Sequence, residues 1–163
     1  MSDWTIESLV AALRARRISA VEITDKCLAR IDRLNPVLRA FITVDADGAR
    51  RAAKERDGEL AAGRARGPLH GVPMAWKDLC ASPGLPTSCG TRTRDYFVSE
   101  RPCTAVARLV AAGAITLGKT YRQEGALSWG YLTPPDEVRS EHVKLTQRRR
   151  RPDAPAARRD QSR

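Results

Sequence analysis

Gly67-Pro68-Leu69-His70-Gly71-Val72-Pro73-Met74-Ala75-Trp76-Lys77-Asp78 is the stretch on which the reading of this chain turns. Two glycines and two prolines punctuate its start, and the apolar run after them reads as a buried strand that carries Lys77 inward beside Trp76. An ammonium taken out of water must find a counter-charge or give up its proton, and the neutral amine that results is a general base. Lys77 is therefore a candidate catalytic base. The competing reading is that its flexible stem carries the charge to the surface, or to an acid elsewhere in the fold. Asp78 comes next. Adjacent strand residues face opposite sides, so Asp78 is expected to be a structural hydrogen-bond acceptor and not a catalytic partner of Lys77.

Outward from this strand, helical and extended patterns alternate. Downstream, Thr104 is the expected N-cap of a helix with Val106, Leu109 and Val110 on one face and Gly113 just past its end, and Ala114 to Leu117 then reads as a short buried strand. Upstream, Gly63 to Pro68 is a loop. Before it, Asp45 or Asp47 caps an alanine-rich helix reaching about Leu60, whose charged residues Arg50, Arg51, Lys54, Glu55 and Arg56 are expected to be solvated. Leu38 to Val44 reads as a strand. Ile6, Leu9, Val10 and Leu13 line a first helix, and the Ser19/Glu22 capping box opens a second one, expected to pair with the first as a hairpin and to stop at Asn35-Pro36. Such alternation predicts an α/β fold with helices on a largely parallel or mixed sheet.

Gly113 to Thr120 matches G-x-x-x-x-G-K-T, the pattern of a phosphate-cradling loop. That cradle needs a strand before its first glycine and a helix opening at Lys-Thr, with the amides between them free for phosphate. Here a helix precedes Gly113, and Ala114 to Leu117 is itself strand-like. A nucleotide site is rejected on that ground.

Composition narrows the function classes. The chain has 163 residues, enough for one core, and its 42% apolar share is ordinary for a globular protein. No run approaches the roughly 18 apolar residues of a membrane span, and Met1-Ser2-Asp3-Trp4 does not open a signal peptide, so the expected compartment is the cytoplasm. Cys27, Cys80, Cys89 and Cys103 form no Cys-x-x-Cys pair and have no histidines at zinc spacing; no metal and no cofactor are expected. The formal charge of +10 is unevenly spread, with nine Lys and Arg against five Asp and Glu after Thr133. Residues 134–163 contain no aromatic and run through Arg148 to Arg151, so they are expected to be a disordered basic tail making at most weak, nonspecific polyanion contact.

Gly67 to Thr120 resembles the N-terminal part of the amidase signature family. The likeness runs through Gly-Pro-Leu-His-Gly-Val-Pro, Lys77-Asp78, Gly84-Leu85-Pro86-Thr87-Ser88-Cys89-Gly90, Thr104 to Leu109 and Ala111 to Thr120, and extends over roughly residues 4 to 130. The resemblance implies part of a mixed-sheet fold flanked by helices in residues 1–133. It also implies hydrolysis of a small-molecule amide by a Ser, cis-Ser, Lys triad, with Lys77 at the position of the lysine. The family's two serines lie in a later Gly/Ser-rich stretch, whereas this chain has no glycine after Gly130, and Ser140 and Ser162 have no Gly or Ser neighbours. The expectation is an amidase frame that holds the lysine alone and is inactive by itself. After Thr120 the chain departs from the family pattern, which leaves Glu124 without an assigned role. His70 is expected to serve loop packing. The rival is a non-catalytic adaptor or weak nucleic-acid binder using the Arg-rich tail, and the change in composition near Thr133 raises the further expectation that the tail is the product of a shifted reading frame.

Overall fold

The structure, a computed structural model, describes residues 4–89 and 97–121. The elements in chain order are α1 (Ile6–Arg14), α2 (Ala20–Leu38), β1 (Phe41–Val44), α3 (Ala46–Ala61), β2 (Pro73–Lys77), β3 (Pro86–Thr87), β4 (Phe97–Val98), α4 (Thr104–Ala111) and β5 (Ile115–Thr120). The readings of residues 134–163 as a tail and of Glu124 lie outside the described residues.

Local chemistry accounts for the helix starts. Thr5 and Ser8 form a reciprocal box at α1, with the Ser8 amide donating to Thr5 Oγ1 at 3.0 Å. Ser19 and Glu22 do the same at α2, as the sequence predicts. The first two amides of α2 have a partner no local pattern reveals. Ala20 N donates to Asp57 Oδ1 at 2.7 Å and Val21 N to Asp57 Oδ2 at 3.1 Å, so a carboxylate on α3 closes the donor end of α2. Asp45 is the N-cap of α3, accepting from Gly48 N at 3.0 Å.

Three expectations about the helices need correction. First, α2 does not stop at Asn35-Pro36 but runs to Leu38, which therefore belongs to the helix and not to the strand. Proline forfeits one amide donor there, while Arg39 N still reaches Asn35 O at 2.7 Å, and Arg39 ends the helix in the left-handed region at φ 46. The Asn35 side chain also pairs with the Phe41 backbone, donating to its oxygen at 3.1 Å and accepting from its nitrogen at 2.8 Å, which guides the chain into β1. Second, Arg56 is not solvated: it is 3% exposed and bonds Glu59 at 2.9 Å. Third, α4 is capped one residue earlier than expected, at Cys103, without a side-chain cap bond.

β1, β5 and β2 form a sheet in that order, with β1 antiparallel and β2 parallel to the central β5. This is the expected mixed sheet. α2 and α3 pack on each other, α3 against β5 and α2 against β2. One core joins Leu9, Leu13, Ile23, Leu28, Ile115 and Leu117 with the small Ala49 and Ala53, which let α3 approach closely. A second joins Trp76, Val106 and Ala114 under α4. Each fully buried leucine or isoleucine in such a cluster contributes about 1.5–3 kcal/mol.

The β2–β5 ladder slips by one residue. Met74 pairs with Thr116 but Ala75 pairs with Gly118, so Leu117 is an extra residue on β5. Gly118 sits at this bulge with φ +150, and a Cβ there would overlap the Thr43 carbonyl oxygen. Gly113, at φ +101 past the end of α4, lies so close to the neighbouring loop that a Cβ would fall 2.5 Å from His70 Cα. Both glycines of the phosphate-loop-like pattern are thus required by backbone packing, and Lys119-Thr120 continue a strand instead of opening a helix.

Candidate functional site

β2 and β5 run parallel and end side by side, with Trp76 opposite Lys119 and Lys77 opposite Thr120. Alternation along β2 buries Trp76 and, one residue past the strand, Asp78, while Lys77 between them is exposed. The expectation of an inward Lys77 is corrected for the described residues. The charge reaches the surface, and the lysine that the fold buries is Lys119, at 0% exposure.

Lys119 shows what burying an ammonium requires. Its Nζ lies 3.3 Å from Asp78 Oδ1, and it donates to Thr87 Oγ1 at 2.9 Å and to the Pro86 carbonyl at 3.2 Å. Asp78, 1% exposed, also accepts from the Ser88 amide at 3.2 Å and from the Ser88 hydroxyl in a short hydrogen bond. A counter-charge and two neutral acceptors offset the desolvation of Lys119, and the same carboxylate holds Ser88. Asp78 is the structural acceptor that the strand alternation implies. Its main chain is fixed as well, with Asp78 N donating to Thr120 O at 3.2 Å and Cys89 N donating to Asp78 O at 3.2 Å.

The lysine segment is held on both sides. Trp76 Nε1 donates to Thr116 Oγ1 at 2.9 Å, Thr120 Oγ1 donates to Trp76 O at 3.2 Å, and Cys80 N donates to Lys77 O at 2.8 Å. The backbone that carries Lys77 is thus stapled to β5 and to the turn after it, while its side chain is exposed. Two of the depressions among the described residues can be compared with the position of Lys77. One of about 440 Å³ includes Ser82, Leu85, Val106 and Thr116, and the other includes Asp25, Leu28, Asn35 and Arg50; neither is lined by Lys77.

His70 packs in the loop, as expected. It is buried, its Nδ1 accepts from Arg66 N at 3.0 Å, and its Nε2 faces the Arg56 carbonyl at 2.8 Å. Those partners assign the proton to Nε2 and occupy both ring nitrogens. Beside it, Arg66 holds the Glu59 carboxyl down at about 2, chiefly through their hydrogen bonds, and Arg56 adds to the effect. Burial pushes the Cys80 thiol up, and the adjoining Cys103 adds to the rise. Among the described residues no cluster of His, Cys, Asp or Glu could hold a metal ion, and no helix is long and apolar enough to cross a membrane.

Sequence reasoning missed Lys119 and Ser88. The available signal was that Ala114 to Leu117 runs on without a breaker other than Gly118, so Lys119 sits inside a strand and needs an acid, and Asp78 is the acid at the end of the parallel neighbour.

Comparison with known proteins covers the same region. A family model described as Amidase matches residues 22–134. One subunit of the glutamyl-tRNA(Gln) amidotransferase of Aromatoleum aromaticum is 46% identical over 127 residues, which are 78% of this chain and 26% of that protein. Its counterpart in Methylococcus capsulatus is also 46% identical over 127 residues, with the same coverage. Among solved structures, the peptide amidase of Stenotrophomonas maltophilia superposes with a TM-score of 0.68 at 37% identity, over 73% of this chain and 25% of that one. A structure described as an amidase gives 0.70 at 32% identity, over 76% and 28%. The chain spans 26% of the length of the curated relatives it matches first.

Proposed function

The chain belongs to the amidase family, and from that premise we propose that it carries one member of an amide-hydrolysing site, the base Lys77, and does not turn over amides by itself. The observation that carries the reading is the setting of Lys77: an exposed amine on a backbone fixed at the end of β2, behind which Asp78, Lys119, Thr87 and Ser88 form a buried charged network. The chemistry follows from the family resemblance. With the remainder of an amidase domain in place, the neutral amine of Lys77 takes a proton through a cis-serine from the nucleophilic serine. That serine attacks the carboxamide carbon, the C–N bond breaks with loss of the amine, and water then cleaves the acyl-enzyme. A base requires its nucleophile within hydrogen-bond reach, about 2.6–3.2 Å or one water away. Ser88 is engaged with Asp78, so the reading assigns both serines to sequence beyond the matched segment.

Assays of the purified chain on simple carboxamides test this, and no turnover is expected. Hydrolysis that disappears in Lys77→Ala would keep the lysine and overturn the claim of inactivity. Hydrolysis that survives Lys77→Ala would overturn the role of Lys77. The proposal extends to the rest of the chain in two respects. Residues 134–163 bind polyanions weakly and without sequence preference, as a duplex titration at two salt concentrations would report through loss of binding at the higher one. The place of action is the cytoplasm, a reading supported by four free thiols.

A further inference from the structure

Two of the four thiols lie together. Cys80 stands three residues after Lys77 and donates its amide to the Lys77 carbonyl at 2.8 Å, while Cys103 is the N-cap of α4 and donates its amide to the Ala81 carbonyl at 3.0 Å. That bond holds the two chain segments at the separation of neighbouring strands. Both side chains pack half-buried on the same cluster of Trp76, Val106 and Ala114, near enough for Cys103 to add to the rise of the Cys80 thiol. Cys27 packs instead on the helical core, and Cys89 follows β3 in a left-handed conformation at φ 53. Disulfide bonding needs close Cα atoms and converging side chains, within roughly 7 Å at the backbone, and only this pair is brought together by both a backbone bond and a shared packing site.

We propose that Cys80 and Cys103 form a reversible redox dithiol, which a peroxide converts to a disulfide that fastens the segment following Lys77 to the start of α4. The step is balanced. One thiol loses its proton and attacks a peroxide oxygen, giving a sulfenic acid and water as the O–O bond breaks. The second thiol attacks that sulfur, forming the S–S bond and releasing a second water. The two thiols are oxidised by two electrons, and hydrogen peroxide is reduced to two waters. Partial exposure gives the oxidant access, and the neighbouring thiol traps the sulfenic acid before it oxidises further. Because burial disfavours the Cys80 thiolate, the link is expected to form slowly near neutrality and faster as pH rises. None of this depends on Lys77 being catalytic.

The test is oxidation of the folded 163-residue chain with hydrogen peroxide, alkylation of the remaining thiols, and peptide mapping without reduction. The expected product is one dominant cross-linked peptide joining Cys80 to Cys103, two hydrogens lighter than its parts and restored by dithiothreitol. The same treatment in denaturant should scatter the pairing over all four cysteines. Cys103→Ser, which keeps a good N-cap residue, should abolish the link and leave Cys80 as a sulfenic acid trapped by dimedone. In the linked form, amide exchange at Cys80 should slow, because its bond to the Lys77 carbonyl opens less often. Native-state pairing scattered as in denaturant, sulfinic or sulfonic acid at either position without a link, or links between molecules only would each overturn the proposal.

Discussion

Lys77 and Lys119 sit one register step apart on neighbouring parallel strands, yet one is exposed and the other wholly buried. The contrast separates two uses of one side chain. Lys119 is surrounded by an acid, a hydroxyl and a carbonyl, so its charge is consumed in holding β3 and Asp78 against the sheet. Lys77 has no such side-chain partner among the described residues, and what is fixed about it is its backbone. A functional side chain is normally locked by packing and supporting hydrogen bonds, which Lys119 has and which the proposed role of Lys77 would require from the remainder of an amidase domain.

The largest expected effect tests that division directly. Lys119→Met should lower unfolding free energy by about 3–5 kcal/mol, since it removes the Lys119 counter-charge from the buried Asp78, whereas Lys77→Ala should stay within about 0.5 kcal/mol. Urea unfolding of both variants measures it, and equal losses would break the comparison. The same contrast recurs on α3. Arg56 is buried against Glu59, while Arg50 meets Asp25 at 2.8 Å with both side chains 48% exposed. Arg56→Ala should cost about 2 kcal/mol and Arg50→Ala less than about 1 kcal/mol by the same measurement. A reversed order would show that exposure does not govern these pairs.

The smallest effect is a dependence on pH. The Glu59 carboxyl is held from its ordinary 4.5 down to about 2, first by its hydrogen bonds to Arg66. A carboxyl whose pKa is lower folded than unfolded contributes its full stability above 4.5 and loses it as the pH falls toward 2. Glu59→Gln should therefore flatten the acid limb of thermal stability in that window and leave the neutral region changed by a constant. A limb of unchanged slope would assign it to other carboxyls.

Much of the frame was legible because it rests on short-range chemistry. Ser19 with Glu22 marks a helix start within four residues, Asp45 announces α3, and Gly113 ends α4, each from neighbours in the chain. The features that escaped are those decided by distant partners. Asp57 caps a helix that begins far upstream, Glu59 makes Arg56 a buried residue, and Pro36 stays helical because the turn around it keeps its other bonds. The site followed the same rule. Alternation was enough to turn Asp78 away from Lys77, but the direction of Lys77 depended on which side of β2 receives α4 and its apolar cluster, and that is set by pairing with β5.

The extra residue at Leu117 bears on how this stretch can vary in length. Counted without it, the parallel ladder that pairs Pro73 with Ile115 would set Lys77 directly beside Lys119, two ammonium groups on one face. The hazard is loss of the bulge with Leu117 kept in the ladder, which would bring like charges together, separate Lys119 from Asp78 and move Gly118 away from the Thr43 carbonyl it accommodates, all in one event. Deletion of Leu117 itself is the milder change, because it removes the extra residue and leaves Trp76 opposite Lys119 and Lys77 opposite Thr120. Residues 62–67 have no such slack, since Arg66 is bound by His70 and Glu59 and Gly67 packs against Ala112, whereas β5 carries one residue it can lose while its phase still keeps Lys119 at Asp78 and Lys77 at the surface.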